Sequence, residues 1–354
     1  MASPTTTRNL AIDWIKGWMI LCIILHHTWM IPNFRGYLAV DVFFYISGFF
    51  LMKSYLRKPT TAVKYTWKRV KQIAAPYFIC IILGGGIMLA RHILTRDTFD
   101  SIVDVSGKVF ATIPFAGEIG GEFTRAPFLL LYWYLSALII CSFILYAMLQ
   151  YSESLSMTIL FPAIILLGYN ALFSDAPSLN TLNRIGLLGA PLIRGLYEMA
   201  AGAMICHVYS NYQSGIESRA TLINVLGLIS LVLFAALLFT QEALDKYTIV
   251  TIPWILLAAV MDHSWLNAVL GKIKGGFFAW VGRYTLYVYC IHGPVQSRVH
   301  SLNDHLLHGS LQGVSLLLVD FAAIAVASVA LFYLCRFVTR IINAHANQPD
   351  HTSL

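Results

Sequence analysis

The chain has 354 residues, of which 58% are hydrophobic and only 12% charged, with a net charge of +7. A soluble globular protein carries about 25% charged and 45–50% apolar residues, so this composition excludes a soluble enzyme, a disordered chain and a soluble nucleic-acid binder. Most Lys and Arg residues lie in short connections between apolar runs, which is how loop charge is distributed in a polytopic membrane protein.

A membrane span needs about 20 mainly apolar residues. Ten stretches meet that need, near 10–31, 38–56, 74–90, 128–149, 157–173, 187–208, 221–240, 247–261, 277–297 and 311–334. The expected fold is therefore all-α and polytopic, a single transmembrane domain over 1–354 with about ten helices and no fused soluble domain. The first stretch is too long for a signal-peptide core and lacks a small-residue cleavage site, so it reads as a retained helix. The connection 53–72 holds Lys53, Arg57, Lys58, Lys64, Lys68, Arg69 and Lys71 with no acidic residue. Placing it in the cytoplasm puts both termini there and gives thirteen basic residues inside against eight outside, an N-in/C-in arrangement. Gly84-Gly85-Gly86, Pro162 and Pro253 are expected to interrupt their helices, as happens where a cavity is lined. The stretch from Arg91 to Pro127 is the longest outside the membrane and is placed to cover the outer mouth of a site. All six cysteines lie in apolar runs without metal-site spacing, so they read as small hydrophobes, with no disulfide framework and no metal.

Ionisable residues within spans are costly and mark cavities or partners. The first two helices concentrate them: Asp13, Lys16, His26, His27 and Asp41. Lys16 and His27 are eleven positions apart, about three whole turns, so they share one face with Cα atoms separated by about 16 Å along the axis. Asp13 precedes Lys16 by three positions and can pair with it. His26 points about 80° away from Lys16 and reads as structural. Asp41, across a short connection, is the nearest acidic group to orient His27. A neutral imidazole there suits a general base, and a cation in line with it suits an anionic donor approaching from the cytoplasm. Arg194 and Glu198 are spaced as a buried structural pair, Asp320 stands alone in the tenth span, and Arg283, Tyr284, Tyr287 and His292 carry polar tips into the ninth. The "KRVK" run at 68–71 reads as a cytoplasmic anchor or a landing site for phosphates.

The segments "IDWIKGWMILCIILHH" and "GYLAVDVFFYISGFFL" resemble the integral-membrane acyltransferase family 3, bacterial enzymes that acylate, most often acetylate, surface glycans. The family has an arginine, ten residues and a histidine in its first helix; here Lys16 and His27 occupy those positions, and lysine keeps the charge without the bidentate fork. "AVDVFFYISGFF" carries over Asp41, Ser47 and Gly48, and "WKRVKQIAAPY" carries over Arg69 and Lys71. The surroundings of Trp133, of Arg194 and Glu198, and of Tyr284 and His292 resemble later family signatures.

The resemblance implies a multi-pass protein of the bacterial cytoplasmic membrane that moves an acyl group, by default acetyl, from cytoplasmic acyl-CoA to a hydroxyl of a cell-surface or lipid-linked glycan. His27 would be the general base or the acyl acceptor and Asp41 its partner. Lys16, Arg69 and Lys71 would hold the CoA phosphates, with Asp13, Ser47, Gly48, Trp133, Tyr284 and His292 shaping the site. The expected partners are membrane lipid and the saccharide acceptor, with no nucleic acid. A transporter or flippase for a glycan is the rival, since ten spans with buried charge suit it equally.

Overall fold

In a computed structural model the chain is described at residues 9–28, 30–94, 103, 106, 107, 132–175, 178–180, 184, 185, 188–272 and 276–346. Most of the Arg91–Pro127 stretch lies outside the described residues. The long helices are α1 (Leu10–His27), α2 (Ala39–Arg57), α3 (Ala62–Leu94), α4 (Trp133–Tyr151), α5 (Phe161–Asp175), α6 (Ala190–Asn211), α7 (Ala220–Leu237), α8 (Thr248–Val260), α9 (Trp265–Lys272), α10 (Phe277–Arg283), α11 (Thr285–Leu306) and α12 (Val314–Ala346). A two-residue ladder pairs Arg184 with Gly189 and Ile185 with Leu188. The protein is an all-α polytopic membrane protein, with eight helical segments among the described residues long and apolar enough to cross a membrane. The sixth and ninth expected spans are helical as α6 and α11 but fall outside those eight.

Three sequence expectations change. The basic run at 68–71 is not in a loop, because α3 begins at Ala62 and carries Arg69 and Lys71 within its helix. Gly84-Gly85-Gly86 do not break α3, nor does Pro253 break α8. Pro162 follows a π-helical turn at Ser156–Leu160 and stands in the first turn of α5, so the helical run continues through it with a local widening rather than a break. The ninth stretch is divided at Tyr284, the residue between α10 and α11.

The chain divides into two compact units. The first holds α1, α2, the start of α3 to Trp67, and α4 to α10; the second holds α3 from Lys68, Tyr132, α11 from Leu286, and α12. In the first unit α2 is buried on nearly every side. It can approach α6 closely because each helix offers a glycine to the other's backbone: a Cβ on Gly48 would overlap the Met199 carbonyl, and one on Gly202 the Tyr45 carbonyl. Small residues at such crossings let helix backbones touch where lipid gives no hydrophobic drive. Gly17 and Gly282 do the same between α1 and α10, against the backbones of Phe278 and Asp13. At the start of α1, Asn9 accepts a hydrogen bond from the Ile12 N–H (3.1 Å) and donates to the Ala259 carbonyl (2.9 Å), tying the cap to the end of α8.

In the second unit Tyr132 donates to the Cys290 carbonyl (3.0 Å), and His300 Nε2 lies 2.9 Å from the buried Asp320. Of the two readings open to Asp320, a partner or water, the structure supplies a partner in His300. The six cysteines form no disulfide, and five of them are buried.

Candidate functional site

Helix α1 ends at His27, and the chain returns to α2 through residues 28–38. Asn33 takes a left-handed backbone there (φ 59°), a conformation its short polar side chain tolerates better than most. His26 Nδ1 donates to the Phe34 carbonyl (3.0 Å), and its ring meets the edge of Tyr37 at 5.3 Å. A Cβ on Gly36 would strike the Cys22 carbonyl, so the connection lies directly on α1. His27 is partly exposed beside His26, with ring centres 5.2 Å apart. The structural reading of His26 fits this geometry.

Behind the connection lies a network of buried charge. Arg194, one turn into α6, is 2% exposed, and Asp41 and Glu198 are fully buried. The Arg194 Nε–H and one terminal N–H meet the same Asp41 oxygen, and Nε stands 3.5 Å from Glu198 Oε1. Its remaining donors reach two carbonyls, of Tyr37 and Leu179, each at 3.0 Å. The guanidinium also lies over the Trp133 ring at 5.5 Å, a cation–π contact that keeps its face covered. Arg35 pairs with Asp245, which is held by the Tyr37 hydroxyl (2.8 Å) and the Leu179 N–H (3.0 Å). The connection is thus pinned by His26 at Phe34, by Asp245 at Arg35 and at the Tyr37 hydroxyl, and by Arg194 at the Tyr37 carbonyl.

One expectation is corrected: Asp41 makes no hydrogen bond to His27. Its bonded oxygen is taken by Arg194, because burial in α2 directs it towards α6 and because a guanidinium is the better partner for a desolvated carboxylate. Arg194 links Asp41 to the connection that follows His27, through the Tyr37 carbonyl.

The structure gathers His27, Asp41 and Trp133 at this end of the first unit and leaves others elsewhere. Lys16 lies three turns back along α1, its Nζ 5.6 Å from the centre of the Phe50 ring. Asp13 is buried one turn nearer the start, against Gly282 of α10, and Tyr284 follows that helix with its ring 5.1 Å from Trp280. Ser47 is buried in α2 beside Gly48, whose part is the close approach to α6. Arg69, Lys71 and His292 belong to the second unit, where His292 is fully buried with Nδ1 at 2.8 Å from the Tyr289 carbonyl.

Sequence reasoning missed Arg35, Tyr37 and Asp245. Charged residues in short connections read as solvated, and Asp245 stands among exposed neighbours, Glu242 and Lys246, that look just like it. The available signal was a second basic residue, Arg35, close behind the paired histidines.

No match was found to a curated protein or to a solved structure. Residues 9–337 match a family model described as an acyltransferase domain, and that model takes in α1, α2 and the whole buried network. With that match over most of its length, the chain belongs to the integral-membrane acyltransferase family 3.

Proposed function

We propose that the chain moves an acyl group, acetyl by default, from cytoplasmic acyl-CoA to a hydroxyl of a cell-surface or lipid-linked glycan, in the cytoplasmic membrane of a bacterium with both termini inside. The observation that carries this reading is the placement of His27: it is partly exposed, at the end of α1, beside a connection held at Phe34, Arg35 and Tyr37 by His26, Asp245 and Arg194. A base that must meet an incoming hydroxyl at one angle benefits from such rigid support.

His27 accepts the proton of the acceptor hydroxyl as its oxygen attacks the thioester carbonyl, and returns it to the departing CoA sulfur. No proton is gained or lost over the turnover. Attack by the imidazole itself, forming an acyl-histidine first, uses the same position. Asp41 is a positioning residue that acts through Arg194. Lys16 shares His27's face of α1 and is assigned to the donor's phosphates, and the family motif gives Arg69 and Lys71 the same task. Trp133 covers the face of the Arg194 guanidinium, and Gly48 sets the close approach of α2 to α6. The chemistry needs no metal, because an imidazole and a thioester suffice.

The test is acyl-CoA consumption. Membranes containing the protein and glycan acceptors should release free CoA thiol from acetyl-CoA, and His27→Gln should abolish release at unchanged expression. Thermal stabilisation of the purified protein by acetyl-CoA, with CoA and succinyl-CoA alongside, reads donor binding without an acceptor. That stabilisation should weaken in Lys16→Ala. Full activity in His27→Gln would overturn the assignment.

A further inference from the structure

Five charged side chains, Arg35, Asp41, Arg194, Glu198 and Asp245, share one buried network, and each is at most 3% exposed. With every group ionised it would hold two cations and three anions. Arg35 pairs with Asp245 and Arg194 with Asp41, which leaves Glu198 as the surplus anion. Neither Glu198 oxygen makes a hydrogen bond of ordinary geometry, and Asp41 Oδ2 and the Tyr45 hydroxyl are likewise unsatisfied, although all are sealed from solvent. The 3.5 Å between Arg194 Nε and Glu198 Oε1 gives attraction but no aligned bond. An unbonded carboxylate in a protein interior is among the costliest groups a fold can hold, and such a group neutralises instead.

The Glu198 and Asp41 carboxyls both lie within 3.5 Å of the Arg194 Nε atom. One proton placed between them removes the surplus charge and turns an acceptor-only pair into a donor and an acceptor. The titratable and charged neighbours are Asp41 and Tyr45 from α2, Arg194 and Tyr197 from α6 itself, Tyr169 from α5, and Asp245 ahead of α8. Arg194, the one cation among them within salt-bridge distance of Glu198, already serves Asp41.

We propose that Glu198 holds a proton, donated to Asp41, and so serves as a positioning residue that keeps Arg194 on Asp41 and on the Tyr37 carbonyl. Glu198 then acts on the reaction only through the connection behind His27. That last step rests on the acyl-transfer reading of His27; the proton itself does not.

The test is infrared spectroscopy of the full-length purified protein at neutral pH, comparing wild type, Glu198→Gln and Asp41→Asn in H2O and D2O. The wild type should show a protonated-carboxyl C=O band that shifts in D2O and is missing from Glu198→Gln. The band should also be lost in Asp41→Asn, where Arg194 is released to pair with an ionised Glu198. A wild-type spectrum identical to Glu198→Gln in the carboxylic-acid region overturns the proposal. So does a thermal midpoint that depends on sodium ions in the wild type and not in Glu198→Gln, since a metal cation would then occupy the proton's place. The positioning role predicts rescue by the neutral isostere. Glu198→Gln should keep the wild-type thermal midpoint and thiol-release kcat, whereas Glu198→Ala should lose most of both. A Gln variant as impaired as the Ala variant would overturn that role. Failure of thiol release in every form, with the band present, would count against the acyl-transfer reading and leave the proton standing.

Discussion

Replacing Arg194 with methionine removes the cation from the centre of the network while keeping much of its length. Asp41 then stays fully buried in α2 with no counter-charge, and the carbonyls of Tyr37 and Leu179 lose their donors. Breaking a buried pair from one side costs about 3–5 kcal/mol, because the other charge cannot reach water. The two lost carbonyl bonds overlap with that figure and are not added to it. Such a loss is a large part of an ordinary net stability of about 5–15 kcal/mol, and for a chain of 354 residues corresponds to a fall in thermal midpoint of about 5 °C. The assay is a thermal ramp at fixed scan rate on detergent-purified protein, run on Arg194→Met, Asp41→Asn and the double variant. The double variant removes the stranded charge, so it should be less destabilised than the two single variants together, with a coupling of about 2–3 kcal/mol. A midpoint for Arg194→Met within a degree or so of wild type, or strict additivity, would refute the reasoning.

Other outcomes follow from the same geometry. Gly48→Ala should cost about 1–3 kcal/mol, because its methyl meets the Met199 backbone and rigid helices must move apart; an unchanged midpoint would mean α2 and α6 are not in backbone contact. His26→Ala should lose about 1 kcal/mol with the bond to Phe34 and slow acyl transfer less than His27→Ala; the reverse order would exchange the two histidines' roles. Glu217 lies outside the spanning segments. Burial pushes its carboxyl up, but hydrogen bonds from the Tyr209 hydroxyl and the Asp262 and His263 N–H groups outweigh that and hold it below its ordinary 4.5. A lowered folded value means this stabilisation is fully present above 4.5 and fades as pH falls through the folded value. The midpoint advantage of wild type over Glu217→Gln should therefore be seen at neutral pH and vanish in acid, and an advantage that does not change with pH would contradict it.

The helical, membrane-spanning character of the chain was legible because a sustained apolar run of span length suits a helix in lipid and little else. The phase of Lys16 and His27 was legible too, since both lie on one continuous helix. Asp41 was found but given the wrong partner. Its true partner stands 153 positions away, and no helical arithmetic reaches across that distance. Arg194 and Glu198 were paired correctly by spacing, yet spacing within one helix could not show that Asp41 of another would compete for the same guanidinium. Glycines misled where they were read as breaks: Gly84-Gly85-Gly86 continue α3, because intrahelical bonding is the only satisfaction open to backbone groups in lipid. The division at Tyr284 carries no proline or glycine at the break itself and gave no signal.

The long separations within the buried network bear on how the protein is made. Helices α1 and α2 leave the ribosome first, yet Arg35 waits for a partner 210 residues later and Asp41 for one 153 residues later. During that interval Arg35 and Asp41 of the early hairpin lack their final partners, and the hairpin is poorly suited to full release into lipid. The hairpin should stay beside the insertion machinery, or keep water around its turn, until α6 and then the segment ahead of α8 arrive. The connection after His27 is thus complete only once Asp245 has been made, and a chain cut short before that residue would have inserted helices but an Arg35 without its partner.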